Sequence, residues 1–105
     1  MIAFADKVRT VVGKIPAGKV ATYGDIARMA GNPGASRAVG AVMRTNKDTQ
    51  RVPCHRVVGH DGSLTGYAYG TGIPTKQKKL AAEGVAFRGH KVDLAHSRWS
   101  GTKTA

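Results

Sequence analysis

Apolar positions recur along the chain at spacings that divide it into short elements. Phe4, Val8, Val11, Val12 and Ile15 fall at i, i+4, i+7, i+8 and i+11, one face of a helix, which Pro16-Ala17-Gly18 ends. Lys19-Val20-Ala21 reads as a connector. Thr22 is placed to cap a second helix, with Asp25 at the third position as a variant of the capping box and Ile26, Ala27 and Met29 on its apolar side. Gly31-Asn32-Pro33-Gly34 is a turn, in which Asn32-Pro33 also reads as a cap and first helical position. Ala35 to Thr45 predicts a third helix, with Val39, Val42 and Met43 along one side and Arg37 and Arg44 off it. Two short helices around a tight Gly-containing turn fit a helix-turn-helix, and equally an ordinary αα-hairpin.

Beyond this the pattern loosens. Asn46 to Arg51 is a polar loop. Arg56 to Val58 predicts a short strand, His60-Asp61-Gly62 a turn, and Ser63-Leu64-Thr65 a return strand of a small hairpin. Gly66 to Gly72 reads as a glycine-rich loop that carries Tyr67 and Tyr69. Pro74 and Thr75 open a helix over Lys76 to Glu83, stopped by Gly84. Val85-Ala86-Phe87 predicts a strand. Val92, Leu94 and Trp99 are expected to tuck the C-terminal segment onto the core, and residues 100–105 to form a frayed tail.

Composition narrows the classes. At 105 residues and 41% hydrophobic content, one globular domain with a modest core is expected. No apolar run approaches the roughly 20 residues that span a bilayer, and Met1 to Asp6 lacks the features of a signal peptide. A single cysteine makes no internal disulfide, so a reducing compartment is expected, cytoplasmic or nuclear. Charge changes the picture most. Lys and Arg number 17 against 6 Asp and Glu, a net charge of +11. Solubility asks for less, so the excess points to a polyanion, most simply nucleic acid. The basic residues run from Lys7 to Lys103 without a polybasic block, which speaks against a membrane patch.

The chemistry centres on Val52-Pro53-Cys54-His55-Arg56-Val57-Val58. A thiol becomes a good nucleophile as the thiolate, and a neighbouring base or cation favours that form. His55 and Arg56 supply both beside the only cysteine, while Pro53 fixes the backbone ahead of it. A buried, inert cysteine stays open on the residues alone. No zinc-ligand spacing, phosphate loop or dinucleotide fingerprint is present, so neither a metal nor a cofactor is expected. His60, His90 and His96 read as surface residues.

Pro53-Cys54-His55-Arg56-Val57 is similar to the active-site signature of the O6-alkylguanine-DNA alkyltransferases. Thr22-Tyr23-Gly24-Asp25-Ile26-Ala27 and Asn32-Pro33-Gly34-Ala35-Ser36-Arg37-Ala38-Val39-Gly40 resemble that family's helix-turn-helix. Asn46 resembles its hinge asparagine, Gly66-Tyr67-Ala68 its pocket loop, and Ala82-Glu83-Gly84 its buried glutamate. The resemblance covers residues 4–99 and matches the family's C-terminal, active-site domain alone. It implies a small α+β domain, mostly α, over residues 1–99, of winged helix-turn-helix type with a short β-hairpin.

It also implies a function: single-turnover repair of double-stranded DNA containing O6-alkylguanine, by a monomer bound in the minor groove. Cys54 would accept the alkyl group. His55 would take the thiol proton through a water, Glu83 would orient His55, Tyr23 would donate toward guanine N3, and Asn46 would tie the active-site turn to the third helix. Arg37 would replace the flipped base in the stack. Ser36, Ala35, Gly40, Arg44 and Tyr23 would face DNA. Val57, Tyr67, Ala68, Tyr69 and Met43 would form the base pocket, with the Cys54 and Val57 carbonyls reading the guanine amino group. Two departures bear on the reading. Tyr69 stands where many members have glycine, in a segment about two residues longer than usual. The short length and the ending Lys91-Val92-Asp93-Leu94 with Arg98-Trp99 resemble the alkyltransferase-like proteins, which bind the lesion without accepting the group and hand it to other repair machinery. Those typically lack a nucleophile where this chain has Cys54.

Overall fold

The computed structural model describes residues 3–65 and 72–101. Helix α1 spans Phe4–Val12 and buries Val8, Val11 and Val12 along the predicted face. It is shorter than the spacing predicted. Gly13 caps it, and Ile15 reaches the core from the turn that follows, 1% exposed, with its amide on the Val12 carbonyl. The i+11 position was thus filled by a loop residue.

Strand β1 (Ala21–Thr22) runs directly into α2 (Tyr23–Met29). Thr22 accepts a hydrogen bond from the Asp25 amide, and the Asp25 carboxylate accepts from the Thr22 amide, so the capping box is complete. Asp25 is buried and carries more than the cap. Arg98 grips it with two bonds of 2.9 and 2.6 Å, which fastens the C-terminal segment to the start of α2. Helix α3 (Ser36–Arg44) follows the turn and buries Val39 and Met43. It starts three residues after Pro33, with Ala35 in the capping position and no side-chain cap, so Asn32-Pro33 belongs to the turn and not to the helix. α1, α2 and α3 pack on one another around the larger apolar cluster, which includes Cys54 and Val57.

The strands pair differently from the sequence expectation. β2 (Val57–Val58) lies parallel to β1, with Ala21 opposite Val57 and Thr22 opposite Val58. It does not form a hairpin with Ser63–Thr65. Asp61 holds the Ser63 amide and hydroxyl, which turns the chain tightly, and Ser63 bridges to Lys91 instead. Lys19-Val20-Ala21 is accordingly more than a connector: Val20 bridges to Arg98 and Ala21 is in the sheet.

Helix α4 (Ile73–Ala82) begins earlier than predicted because Gly72 at φ 79 turns the chain into it and Pro74 occupies its first turn. Among the described residues the hairpin is β3 (Phe87–Arg88) with β4 (Lys91–Val92), which starts two residues beyond the predicted strand start at Val85. A final short helix, α5 (Leu94–Ser97), was not predicted. As expected, Val92 is buried, Leu94 packs against the second cluster, and Trp99 packs against the first. The proposed tail beyond Gly101 and the loop residues Tyr67, Ala68 and Tyr69 lie outside the described residues.

Candidate active site and nucleic-acid interface

Cys54 opens a single 3₁₀ turn, Cys54–Arg56, between the polar loop and β2. The turn is pinned on both sides. The Cys54 amide donates to the Val52 carbonyl at 2.8 Å, and the Val57 amide donates back to the Cys54 carbonyl. Asn46 fixes the approach. Its side-chain amide donates to the Val52 carbonyl at 2.8 Å, its carbonyl accepts from the Asp48 amide at 3.2 Å, and its own amide bonds to Met43 in the last turn of α3. One buried residue, through its backbone amide and its side chain together, therefore joins the end of α3 to the cysteine turn.

Cys54 is 5% exposed and His55 6%. His55 Nε2 lies 3.1 Å from the Glu83 carboxylate, while its Nδ1 is buried and meets no partner among the described residues. Glu83 sits just past the end of α4, where the helix dipole disfavours a carboxylate. Arg56 offsets that. Its guanidinium takes both carboxylate oxygens, through Nε at 2.9 Å and a second, short contact, and its remaining arm donates to the Ile15 carbonyl at 2.8 Å. Burial pushes the Glu83 carboxyl up, but the hydrogen bonds from Arg56 and His55 outweigh it and hold it below the usual carboxylate range. Burial dominates at His55, where it lowers the imidazole below 6.5 against the pull of Glu83. The ring is therefore a neutral base at pH 7, with Nδ1 free to accept a proton. Arg56 entered the sequence argument only as a charge beside Cys54. Its fork on Glu83 has no signature in sequence spacing, since 27 residues separate the two.

Tyr23, the first residue of α2, donates its hydroxyl to the Thr65 carbonyl at 3.2 Å. Burial raises its pKa, and Cys54 lies close enough to add to that. The same Thr65 carbonyl receives Lys76 Nζ at 2.8 Å, and Lys76 also reaches the Val57 carbonyl at 2.6 Å. Lys76 is 1% exposed. Desolvation lowers it to about 8, with Cys54 acting in the opposite direction. Lys76 was not among the site residues expected from the sequence. The available signal was its spacing of four from Leu80, the other buried side chain of α4.

On the outside of this cluster Tyr23, Arg37, Gly40 and Arg44 line an open hollow of about 310 Å³. Arg37 and Arg44 are exposed, as are Ser36 and the surrounding turn, and Ala35 is half-buried. Met43 is turned the other way, into the core with Cys54. Gly40 stands in the middle of α3, where glycine costs about 0.5–1 kcal/mol relative to alanine. A Cβ there would meet no atom of the described residues within 4 Å, so packing among them gives no reason for the glycine. No cluster of three metal-ligating side chains occurs among the described residues, and no helix among them is long and apolar enough to cross a membrane.

The family described as "6-O-methylguanine DNA methyltransferase, DNA binding domain" matches residues 3–85, which include the whole helix-turn-helix and the cysteine turn. The chain belongs to this family. It is 38% identical over 87% of its length to a bifunctional methyltransferase/endonuclease of Picrophilus torridus, of which it spans 30%. Its structure is similar to Mycobacterium tuberculosis O6-methylguanine methyltransferase, with 42% identity and a TM-score of 0.70 over 80% of this chain and 50% of that one. It is also similar to S. pombe Atl1 in complex with damaged DNA containing O6-carboxymethylguanine, with 34% identity and a TM-score of 0.81 over 95% of this chain and 99% of that one. The small helix-rich α+β fold with short sheets is thus the fold of DNA-binding alkyltransferases.

Proposed function

We propose that this chain repairs DNA by moving the alkyl group of an O6-alkylguanine onto Cys54, once per molecule, so that the DNA-binding domain is also the active-site domain. The observation that carries this is the buried Cys54 turn with His55 held on Glu83 and His55 Nδ1 without a partner among the described residues. The thiol proton passes through a water to His55 Nδ1. The sulfur attacks the alkyl carbon in line, an S–C bond forms, and the C–O6 bond breaks with its electron pair on the guanine. Tyr23 donates a proton at N3 and recovers one from solvent. Nucleophile, base and acid are all side chains, and the step asks for no cofactor.

Double-stranded DNA is the partner, with α3 in the minor groove of a lesion-bearing duplex and one protein molecule per lesion. The target base is flipped toward Cys54 and Arg37 fills its place, which offsets part of the few kcal/mol that unstacking costs. Gly40 then has a reason: DNA approaches the helix where a methyl group would stand. Gly40→Ala is expected to stabilise the protein by about 0.5–1 kcal/mol yet weaken duplex binding, opposite signs read by thermal melting and by a titration at fixed salt. Weaker melting, or unchanged binding, would remove the close approach.

Arg37→Ala is expected to slow repair of duplex by about tenfold or more while leaving reaction with the free modified base nearly unchanged, because Arg37 serves the flipped state and not the bond change. Equal losses on both substrates would give Arg37 another task. The near-complete overlap with Atl1 favours a second reading, a lesion-binding protein that hands O6-alkylguanine to other machinery. Intact mass after mixing with an O6-methylguanine duplex separates the two. A gain of one methyl group means transfer, and tight binding with no gain means the second reading.

A further inference from the structure

The largest fully buried side chain among the described residues is Lys76, and the mechanism leaves it unused. Its ammonium has three donors, and two of them are spent on backbone carbonyls that belong to different parts of the chain. One is Val57, the residue after the cysteine turn. The other is Thr65, the last described residue before the segment holding Tyr67, Ala68 and Tyr69. The Thr65 oxygen is doubly held, by Lys76 and by the Tyr23 hydroxyl. Burying an ammonium with no carboxylate against it is costly, and no acidic partner is among its bonds. A neutral side chain would fill this space at lower cost. What the charge provides is two strong, directional bonds that tie two peptide planes, those of Val57 and Thr65, to one ammonium close to Cys54.

We propose that Lys76 is the positioning residue for base identity: by holding the Val57 and Thr65 carbonyls on one ammonium, it sets the acceptor that reads the 2-amino edge of the flipped guanine. This rests on the reading of the Cys54 pocket as the guanine site. A carbonyl has two lone pairs. Lys76 takes one on Val57 and leaves the second pointed in a fixed direction. A fixed acceptor discriminates a base that has the amino donor from one that lacks it, and a peptide plane free to tilt does so less well.

The test is a ratio, measured on duplexes carrying O6-methylguanine or O6-methylhypoxanthine, which lacks the 2-amino group. Single-turnover rates give the ratio, or dissociation constants if the chain binds without transfer. Wild type is expected to favour the guanine adduct by about five- to tenfold, the worth of one well-placed hydrogen bond. Lys76→Gln and Lys76→Met are expected to bring that ratio close to one. A merely structural role would slow both substrates equally and leave the ratio in place, and that result overturns the assignment.

Should neither variant fold, wild type decides by itself. The ammonium titrates at about 8, so the ratio is expected to shrink from about pH 7 to about pH 9.5 as the bonds lose their charge assistance. The groups around Lys76 do not imitate this. His55 stays neutral and Glu83 ionised in that range, Tyr23 is raised above 10, and the nucleophile is common to both duplexes and drops out of the ratio. A flat ratio overturns the proposal. Failure of the underlying reading looks different: wild type would then show no preference for alkylated over unmodified DNA before any variant is made, and the assignment of Lys76 falls with it.

Discussion

Mixed with an excess of duplex carrying O6-methylguanine, the chain is expected to gain one methyl group per molecule and then stop. The product is a thioether, which offers no leaving group for a second cycle, so repaired guanine rises to one equivalent and no further. Cys54→Ala is expected to lose transfer entirely and to keep duplex binding. The proposed binding surface is lined by Tyr23 of α2 and by Arg37, Gly40 and Arg44 of α3, and Cys54 is not among the residues that line it. Removing one buried sulfur from the core costs the fold about 1 kcal/mol, which circular dichroism will register as a small shift in melting and not as unfolding. Mass spectrometry of the digested protein locates the methyl group. Turnover past one equivalent, or transfer surviving in Cys54→Ala, removes Cys54 as the acceptor. Binding lost together with transfer would mean that the cysteine turn supports the DNA surface after all.

How much of this was legible in the sequence depends on how local each cause is. The α2 cap was legible because Thr22 and Asp25 satisfy one another within a single turn. The apolar stripes of α1 and α3 were legible because their burial follows the helical period. Boundaries failed where a loop residue imitated that period, as Ile15 does, or where glycine geometry moved a helix start, as Gly72 does. The pairing of β2 with β1 was not legible. Strands of two residues carry too little alternation to announce a partner, and these are 36 positions apart in register, Ala21 on Val57. At the site, Cys54 and His55 were legible as the only cysteine with a base beside it, whereas Glu83 was named only through a family resemblance. Their meeting needs α4 to end beside the cysteine turn, which no local pattern states. Lys76 went unnoticed for a related reason: a lysine in a helix reads as solvated until its carbonyl partners, 19 and 11 residues away, are known.

The second large effect concerns His55 and Glu83 as a unit. His55→Ala and Glu83→Ala are each expected to slow single-turnover transfer by about 10²–10³-fold, and the double variant hardly further. Glu83 accepts at Nε2, so Nε2 carries the ring proton and Nδ1 keeps the lone pair that must receive the thiol proton. Without Glu83 the ring loses both its tautomer and its orientation, and little remains for the second substitution to remove. Glu83→Gln is expected to fall nearly as far as Glu83→Ala, because a glutamine amide can donate to Nε2 and so place the proton on Nδ1, the wrong atom. The pH dependence follows with a definite sign. Burial lowers His55 below 6.5 while Glu83 pulls it up, so transfer in wild type is expected to hold through pH 6.5 and fail only on further acidification. In Glu83→Gln the upward pull is gone, and the acid limb is expected to move lower still while the plateau drops. Circular dichroism must accompany the kinetics, since Arg56 loses its carboxylate in these variants and is left half-buried beside the Ile15 carbonyl. Folded variants whose losses multiply fully in the double substitution, or an acid limb that moves upward in Glu83→Gln, would show that the two side chains act separately.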